Sequence, residues 1–591
     1  MCGFAGEIAR DGPADVEAVW RMGEAVRRRG PDGVGSWSHG RVALAHRRLS
    51  IIDLSARGAQ PMVDAELGLT AVFNGCIYNN GELRDELADL GYRFFSTSDT
   101  EVLLKGWHHW GDGFVERLKG MFAFCLVDSD SGRALLGRDR LGIKPLYLAE
   151  HERGLRFAST LPALLAGGGV DTDLDPIALN HYFSWHAVVP APYTVIKGVR
   201  KLAPATLLAI ETDGRRHEQE YWRPEFRRDA AGGERSDEQW DEAVLEALGV
   251  AVERRMVADV PVGVLLSGGL DSSLIVALLA EQGQRGLTTF SIGFEAAGGM
   301  EGDEFAYSDA IAERYETEHR RIRIAGERLL PALGDAVGAM SEPMTSHDAV
   351  AFYLLSEEVS KELKVVQSGQ GADEVFAGYS WYPPLLHAPG DGSRRYHEQF
   401  FDRSYAEMTQ LLGPDYRSEV DAAGDFMRAH FAQPGADTPL DRALRLDSLI
   451  MLVDDPVKRV DNMTMAWGLE ARTPFLDHEL VELAAACPPE LKLAEGGKGV
   501  LKRAARRLLP AEVIDRPKGY FPVPALSHLE GRFLELVRET LDSRAARERG
   551  LIERSYVERL YTAPNDHRTP LGSNKLWQIA LLELWLQAQG V

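Results

Sequence analysis

The sequence predicts two large mixed α/β and α+β domains in series: a sheet-on-sheet core flanked by helices, then a parallel sheet wrapped by helices. Three observations predict it. The chain has 591 residues, far more than one compact core usually holds. Its first part reads as short β-rich runs, at residues 42–45, 70–73, 121–127 and 134–136, parted by Gly, Pro, Asn and Asp turns. Its second part alternates long amphipathic helical patterns with short Val/Ile/Leu runs at 262–266, 288–294 and 363–367, the pattern of a parallel sheet buried on both faces.

Taken in order, residues 14–28 and 81–90 carry apolar residues at helical spacing and supply the helices that flank the first core. Residues 223–239 (RPEFRRDAAGGERSDEQ) are polar and poor in apolar side chains, as inter-domain linkers are. The boundary falls there, giving a first domain over 1–222, a linker over 223–240 and a second domain over 241–591. Residues 261–273 read as a strand, a glycine loop and a helix beginning about Ser272, and residues 575–589 as a last amphipathic helix. No internal repeat is visible.

An apolar share of 45% and a charged share of 26% are ordinary for a soluble globular protein. No apolar run reaches the roughly 20 residues that cross a bilayer. Glu7, Arg10 and Asp11 break any signal-peptide pattern, so a cytoplasmic location is expected. Four cysteines (Cys2, Cys76, Cys125, Cys487) lack paired metal-type spacing, which argues against a disulfide framework or a zinc site. The net charge of −23 would repel nucleic acid and anionic membranes alike, so small-molecule substrates are favoured. The cluster Arg27-Arg28-Arg29 reads as solvated helix surface or as local anchors. A homodimer is compatible with the sequence, which does not fix the oligomeric state.

Cys2 is chemically suggestive once Met1 is removed, because one residue then carries a thiol and a free α-amine. The amine titrates near about 7.7 to 8.0 and the thiol near about 8.5, so the amine can take the thiol proton. Around it stand Arg29-Gly30-Pro31-Asp32-Gly33, His46-Arg47-Arg48-Leu49-Ser50-Ile51-Ile52-Asp53, Asn74-Gly75-Cys76-Ile77-Tyr78-Asn79 and Ser98-Asp99-Thr100-Glu101. This set resembles the class II, N-terminal nucleophile (Ntn) glutamine amidotransferase domain, an αββα sandwich. The resemblance implies that Cys2 attacks the glutamine side-chain amide to give a thioester. It assigns the oxyanion donors to the Asn74 amide and the Gly75 N–H, the glutamine carboxylate to Arg48 and its ammonium to Asp99. A surface arginine and a helix-capping aspartate are the plain alternatives for these last two. Position 76, commonly Glu in asparagine synthetases, is Cys76, so Asp99 is expected to hold the ammonium alone. Cys76 reads as a small cleft-lining residue or a second reactive thiol, and Cys125 and Cys487 as core.

In the second part, Pro261 to Ser273 (PVGVLLSGGLDSS) places free backbone N–H groups and a helix start at one spot, which suits a phosphate. The run lacks the Gly-Lys-Ser/Thr ending of kinase-type loops and resembles the pyrophosphate loop of the ATP-pyrophosphatases. Three further stretches, 367–379 (QSGQGADEVFAGY), 459–477 and Asp515-Arg516-Pro517-Lys518-Gly519, resemble the synthetase domain of the asparagine synthetase family. That resemblance implies ATP, an acyl adenylate and released pyrophosphate. It assigns phosphate and nucleotide contacts to Ser267, Gly268, Gly269, Asp271 and Ser272, with Leu265, Ile292, Ser368 and Gly369 around adenine and ribose. It also assigns Mg²⁺ to Asp271 and Asp373, and the cation over the adenylate to Lys518. Helix or turn aspartates, core packing for Leu265 and Ile292, and a solvated loop lysine are the alternatives.

The implied reaction takes glutamine, ATP and a carboxylate acceptor. A binding protein that had lost the chemistry would not need Cys2, Asn74, Asp271 and Asp373. Amidotransferases for sugars or nucleotide precursors carry other second domains, and β-lactam synthetases lack the cysteine. For the acceptor, Gln370 stands where asparagine synthetases carry Glu. With Cys76, Ser346-His347-Asp348 and residues 186–192 (HAVVPAP), it makes the chain resemble the bacterial N-acetylglutaminylglutamine amidotransferases, which amidate a capped dipeptide osmoprotectant. Aspartate is the alternative acceptor.

Overall fold

In a computed structural model, residues 2–228, 235–295, 303–346, 348–516 and 528–591 are described. The first part holds twelve strands: β1 (Gly3–Ala9), β2 (Gly33–His39), β3 (Val42–Arg48), β4 (Met62–Asp64), β5 (Leu69–Ile77), β6 (Gly120–Asp128), β7 (Ala134–Arg138), β8 (Tyr147–His151), β9 (Gly154–Ala158), β10 (Val199–Lys201), β11 (Thr206–Ile210) and β12 (Arg216–Glu220). They form two six-stranded sheets, ordered β10-β8-β9-β1-β3-β2 and β12-β11-β7-β6-β5-β4.

Strand alternation explains the layering. On β6, Ala123, Cys125 and Val127 enter the layer between the sheets with Phe4, Ile8, Leu44 and Val72. Phe122, Phe124 and Leu126 take the opposite face, against Leu83, Leu87 and Leu103 of the helices Asn80–Asp89 and Asp99–Trp110. On the far side, Ala5, Ala43 and Ala45 pack with Val19 and Met22 of the helix Val16–Ala25. The result is the αββα order that the resemblance implies. Cys125 is core, as expected.

The second part is built on β13 (Val262–Leu265), β14 (Thr288–Phe294), β15 (Glu318–Ile324), β16 (Val365–Gln367) and β17 (Glu470–Arg472). All four pairings are parallel, in the order β15-β14-β13-β16-β17. Val262 and Val264 of β13 meet Val244, Leu248 and Leu274 of the helices Asp237–Arg254 and Leu270–Glu281. Leu265 packs on the other face, with the layer that includes Phe352 and Tyr353 of the helix Asp348–Val359. Strand order reverses between β13 and β16, and an open α/β sheet takes ligands at such a switch point, beyond the carboxyl ends of the strands.

Three readings are refined. The glycine-loop helix starts at Leu270, with Gly269 as its cap, not at Ser272. Residues 237–240, read as linker, are the first turn of the helix Asp237–Arg254, because Ser236 and Gln239 cap each other reciprocally. Phe226, also read as linker, is 2% exposed and bridges to Ala436. The two parts interlock: Tyr182 of the helix Pro176–Ser184 donates its hydroxyl to the Gln578 carbonyl at 3.1 Å. Among the described residues, no helix is long and apolar enough to cross a membrane.

Candidate active sites

Cys2 leads directly into β1, whose pairing with β3 sets Gly3 opposite Arg47 and brings Arg48 and Leu49 close to the cysteine. The Cys2 N–H donates to Asn74 Oδ1 at 3.1 Å, and Arg29 Nε donates to the Cys2 carbonyl at 3.2 Å. Asn74 is fully buried on β5, and its Nδ2 has no hydrogen-bond partner. A buried amide donor left unpaired is costly unless something else uses it, and here it sits beside a cysteine. Gly75 has no room for a side chain, since a Cβ would lie 2.1 Å from the Met121 carbonyl across the β5–β6 pairing.

Burial pushes the Cys2 thiol up, against the positive amino terminus, the Leu49 N–H and Arg48, which pull it down. A thiol raised in this way needs a base to become a nucleophile. Arg48 donates to the carbonyls of Ser55, at 2.8 Å, and Asp53, and Gly58 makes room for its guanidinium. Asp99 opens the helix Asp99–Trp110 behind the cap Ser98, is 5% exposed and accepts the Ile77 N–H at 3.0 Å. Burial is the chief cause that raises its carboxyl to about 6.

Cys2, Arg48, Gly75, Cys76 and Asp99 line one cavity, so the structure brings the sequence-predicted glutamine-side residues together. Two residues that sequence reasoning left without a role complete it: Glu470 and Arg472, from β17 of the other half. Asp99 is thus not the lone carboxylate there. Cys76 is 1% exposed in the wall of the cavity, and burial raises its thiol far above the usual range, which favours cleft lining over a second nucleophile. The basic cluster splits: Arg27 and Arg28 are exposed, whereas Arg29 is a buried anchor between the halves.

At the switch point, Ser267 to Gly269 follow β13 and Ser368 to Gly371 follow β16. The Ser267 N–H donates to Ser272 Oγ at 3.1 Å, and Gly268, at φ +72°, lies where a Cβ would be 2.6 Å from Ser308 N. Those contacts curl the loop tightly over the start of the helix Leu270–Glu281, and backbone N–H groups at a helix start suit an anion. A Cβ on Gly369 would lie 3.0 Å from the Asp271 Cβ, which sets the two loops side by side. Leu265 is buried, Ile292 is half-buried against the same core, and Ser368 is 4% exposed. Gln370 is half-buried beside them.

Asp271 and Asp373 converge on one cation, Lys498, whose Nζ lies 2.7 Å from one and 2.8 Å from the other. Burial opposes the ammonium, but the two carboxylates hold its pKa above the usual lysine range. Sequence reasoning missed Lys498. The available signal was Gly496-Gly497-Lys498-Gly499, a glycine-framed lysine that the structure holds at φ +57°. Two carboxylates on one cation fit Mg²⁺, which keeps waters and substrate phosphates as its other ligands. Among the described residues no cluster of three or more metal-type side chains exists, so a metal would depend on such outside ligands. Lys518 and His347 lie outside the described residues.

Compared with known families, residues 243–587 match asparagine synthase and residues 1–222 match the glutamine amidotransferase domain. The chain belongs to the asparagine synthetase family. Glutamine-hydrolysing asparagine synthetase 1 of Bacillus subtilis is 31% identical, over 99% of this chain and 96% of its own. Asparagine synthetase B of Escherichia coli is 29% identical, over 88% and 82%. The amidase chyE of Penicillium rubens is 29% identical over 83% of each chain. As an asparagine synthetase-type protein, the chain is a glutamine-hydrolysing ligase.

Proposed function

We propose that this family member releases ammonia from glutamine at Cys2 and uses ATP to convert a carboxylate to its amide through an acyl adenylate, with AMP and pyrophosphate as products. The unpaired, buried Nδ2 of Asn74 beside Cys2 carries the first half-reaction. Cys2 Sγ attacks the glutamine amide, and Asn74 Nδ2 with the Gly75 N–H receives the oxyanion. Ammonia leaves, and water cleaves the thioester. Arg48 takes the carboxylate of glutamine and Asp99 its ammonium.

In the second half-reaction, the N–H groups of the 267–272 loop hold the outer phosphates while the acceptor carboxylate attacks the α-phosphorus. Mg²⁺, when bound with ATP, would be held by Asp271 and Asp373 and would offset phosphate charge. Lys498 supplies fixed positive charge beside these carboxylates, in addition to Lys518, to which the resemblance gives the charge over the adenylate. ATP and glutamine as substrates suit a cytoplasmic enzyme.

For the acceptor we favour a capped peptide carboxylate of the N-acetylglutaminylglutamine type, because Gln370 offers no charge to an ammonium but can donate to and accept from peptide groups. Aspartate is the second reading, favoured by the asparagine synthetase names of the relatives. ATP/pyrophosphate exchange measured with each acid decides between them. Exchange supported by neither would overturn the adenylation reading.

A further inference from the structure

The cavity beside Cys2 is walled in part by a strand of the other half. β17 is three residues long, and its two charged members, Glu470 and Arg472, are 1% and 0% exposed. Alternation about Ala471 puts both side chains on one strand face, toward Cys2, Arg48 and Asp99. Arg472 is fixed from several sides. Its Nη1 donates to the carbonyls of Arg255 and Val257, each at 2.8 Å, and its Nε to Glu470 Oε1 at 2.5 Å. Its Nη2 lies 3.6 Å from Cys76 Sγ. Two buried carboxylates, one from each half, therefore face one small cavity.

Glutamine enters as a zwitterion. Arg48 meets its carboxylate, while its ammonium brings three donors and a full charge into a buried space. Asp99 already commits one oxygen to the Ile77 N–H, and position 76 supplies a thiol that cannot balance the charge.

We propose that Glu470, lent by the synthetase half, is the second carboxylate that receives the glutamine ammonium, and that Arg472 is the positioning residue that aims it. The proposal rests on reading the Cys2 cavity as the glutamine site. Glu470 keeps its negative charge there. Burial pushes its carboxyl up, but the positive amino terminus of the chain first, and then Arg472 and Lys144, hold it below the usual carboxylate range. It also acts on Asp99, whose carboxyl burial raises first, the Ile77 N–H lowers and the Glu470 charge raises again. Arg472 and Arg84 face Asp99 with the opposite sign. The strand ties this carboxylate to the nucleotide side, since the Arg472 carbonyl accepts the Ser368 N–H at 2.8 Å.

The test is steady-state hydrolysis by the full chain of glutamine and of glutaric acid monoamide, which lacks only the α-amine. Wild type should prefer glutamine. Glu470→Gln should cut that preference, as a ratio of kcat/KM, at least tenfold, chiefly through the KM for glutamine, and should move the acid limb of the glutamine profile to lower pH. Glu470→Asp should fall between the two. General damage to the fold would slow both substrates alike, so an unchanged ratio in Glu470→Gln, or equal loss in the Asp and Gln variants, overturns the proposal. A wild-type chain that hydrolyses no glutamine would remove the site reading itself, and the proposal with it.

Discussion

Arg29 of the amidotransferase half and Asp461 of the synthetase half form a buried two-pronged ion pair, Nη1 to Oδ2 at 2.8 Å and Nη2 to Oδ1 at 3.2 Å. Lys144 adds a third contact to Asp461 at 3.1 Å, and Arg29 also holds the Cys2 carbonyl. Removing one member of such a cluster strands the others, which costs about 3–5 kcal/mol. Asp461→Asn should lower the thermal midpoint and weaken glutamine hydrolysis together. Calorimetry beside a glutaminase assay checks it, and a midpoint equal to wild type would refute the anchoring role.

Cys2→Ala should abolish synthesis from glutamine while leaving synthesis from added ammonium salts, because only the ammonia source is lost. A chain that keeps Met1 should behave likewise, since an acylated α-nitrogen cannot take the thiol proton. Amide product formed from each nitrogen source is the quantity to measure. Glutamine use equal to wild type in Cys2→Ala would end the nucleophile assignment.

Asp271→Asn and Asp373→Asn should remove ATP/pyrophosphate exchange yet spare glutamine hydrolysis, and Lys498→Met should do the same. The three side chains form one charge cluster, so losing any member misplaces the other two. Wild type should release AMP. ADP as the nucleotide product would exclude adenylation.

Glutamine affinity should be pH-dependent through Asp99, whose carboxyl burial raises to about 6. Below that pH the acid is neutral and cannot balance an ammonium, so KM should climb about tenfold per pH unit, the limit for one titrating group. Above it, KM should be flat. Asp99→Asn should give a high KM throughout. A wild-type KM constant between pH 5 and 8 would contradict the assignment.

With aspartate and N-acetylglutaminylglutamine at equal concentrations, AMP release should be faster with the capped dipeptide. Free aspartate must bury an α-ammonium beside Gln370, which carries no charge, at a cost of several kcal/mol. Gln370→Glu should slow the dipeptide reaction by placing a negative charge beside an anionic adenylate. Faster turnover with aspartate would return the acceptor to that of the asparagine synthetases.

The sequence made legible those parts where pattern and packing agree. The tail helix Lys575–Gln589 and the strand β6 follow their apolar spacing, and the loop after β13 follows its glycines. It was silent where burial rests on charge. Glu470-Ala471-Arg472 is too short and too polar to read as a strand, yet it is buried because its charges satisfy each other and two backbone carbonyls. Arg29 looked like its exposed neighbours because its partner lies 432 residues away in sequence. The strand β12 is exposed along its whole length, so no apolar alternation could mark it.

Because β17 lends its side chains to the cavity of the first half, a cut near residue 222 would leave that cavity without part of its wall. A chimera that joined this front half to the back half of a relative would inherit a foreign wall for its glutamine cavity. Donor halves for such exchanges are therefore best matched on the residues of that short strand before any linker is designed.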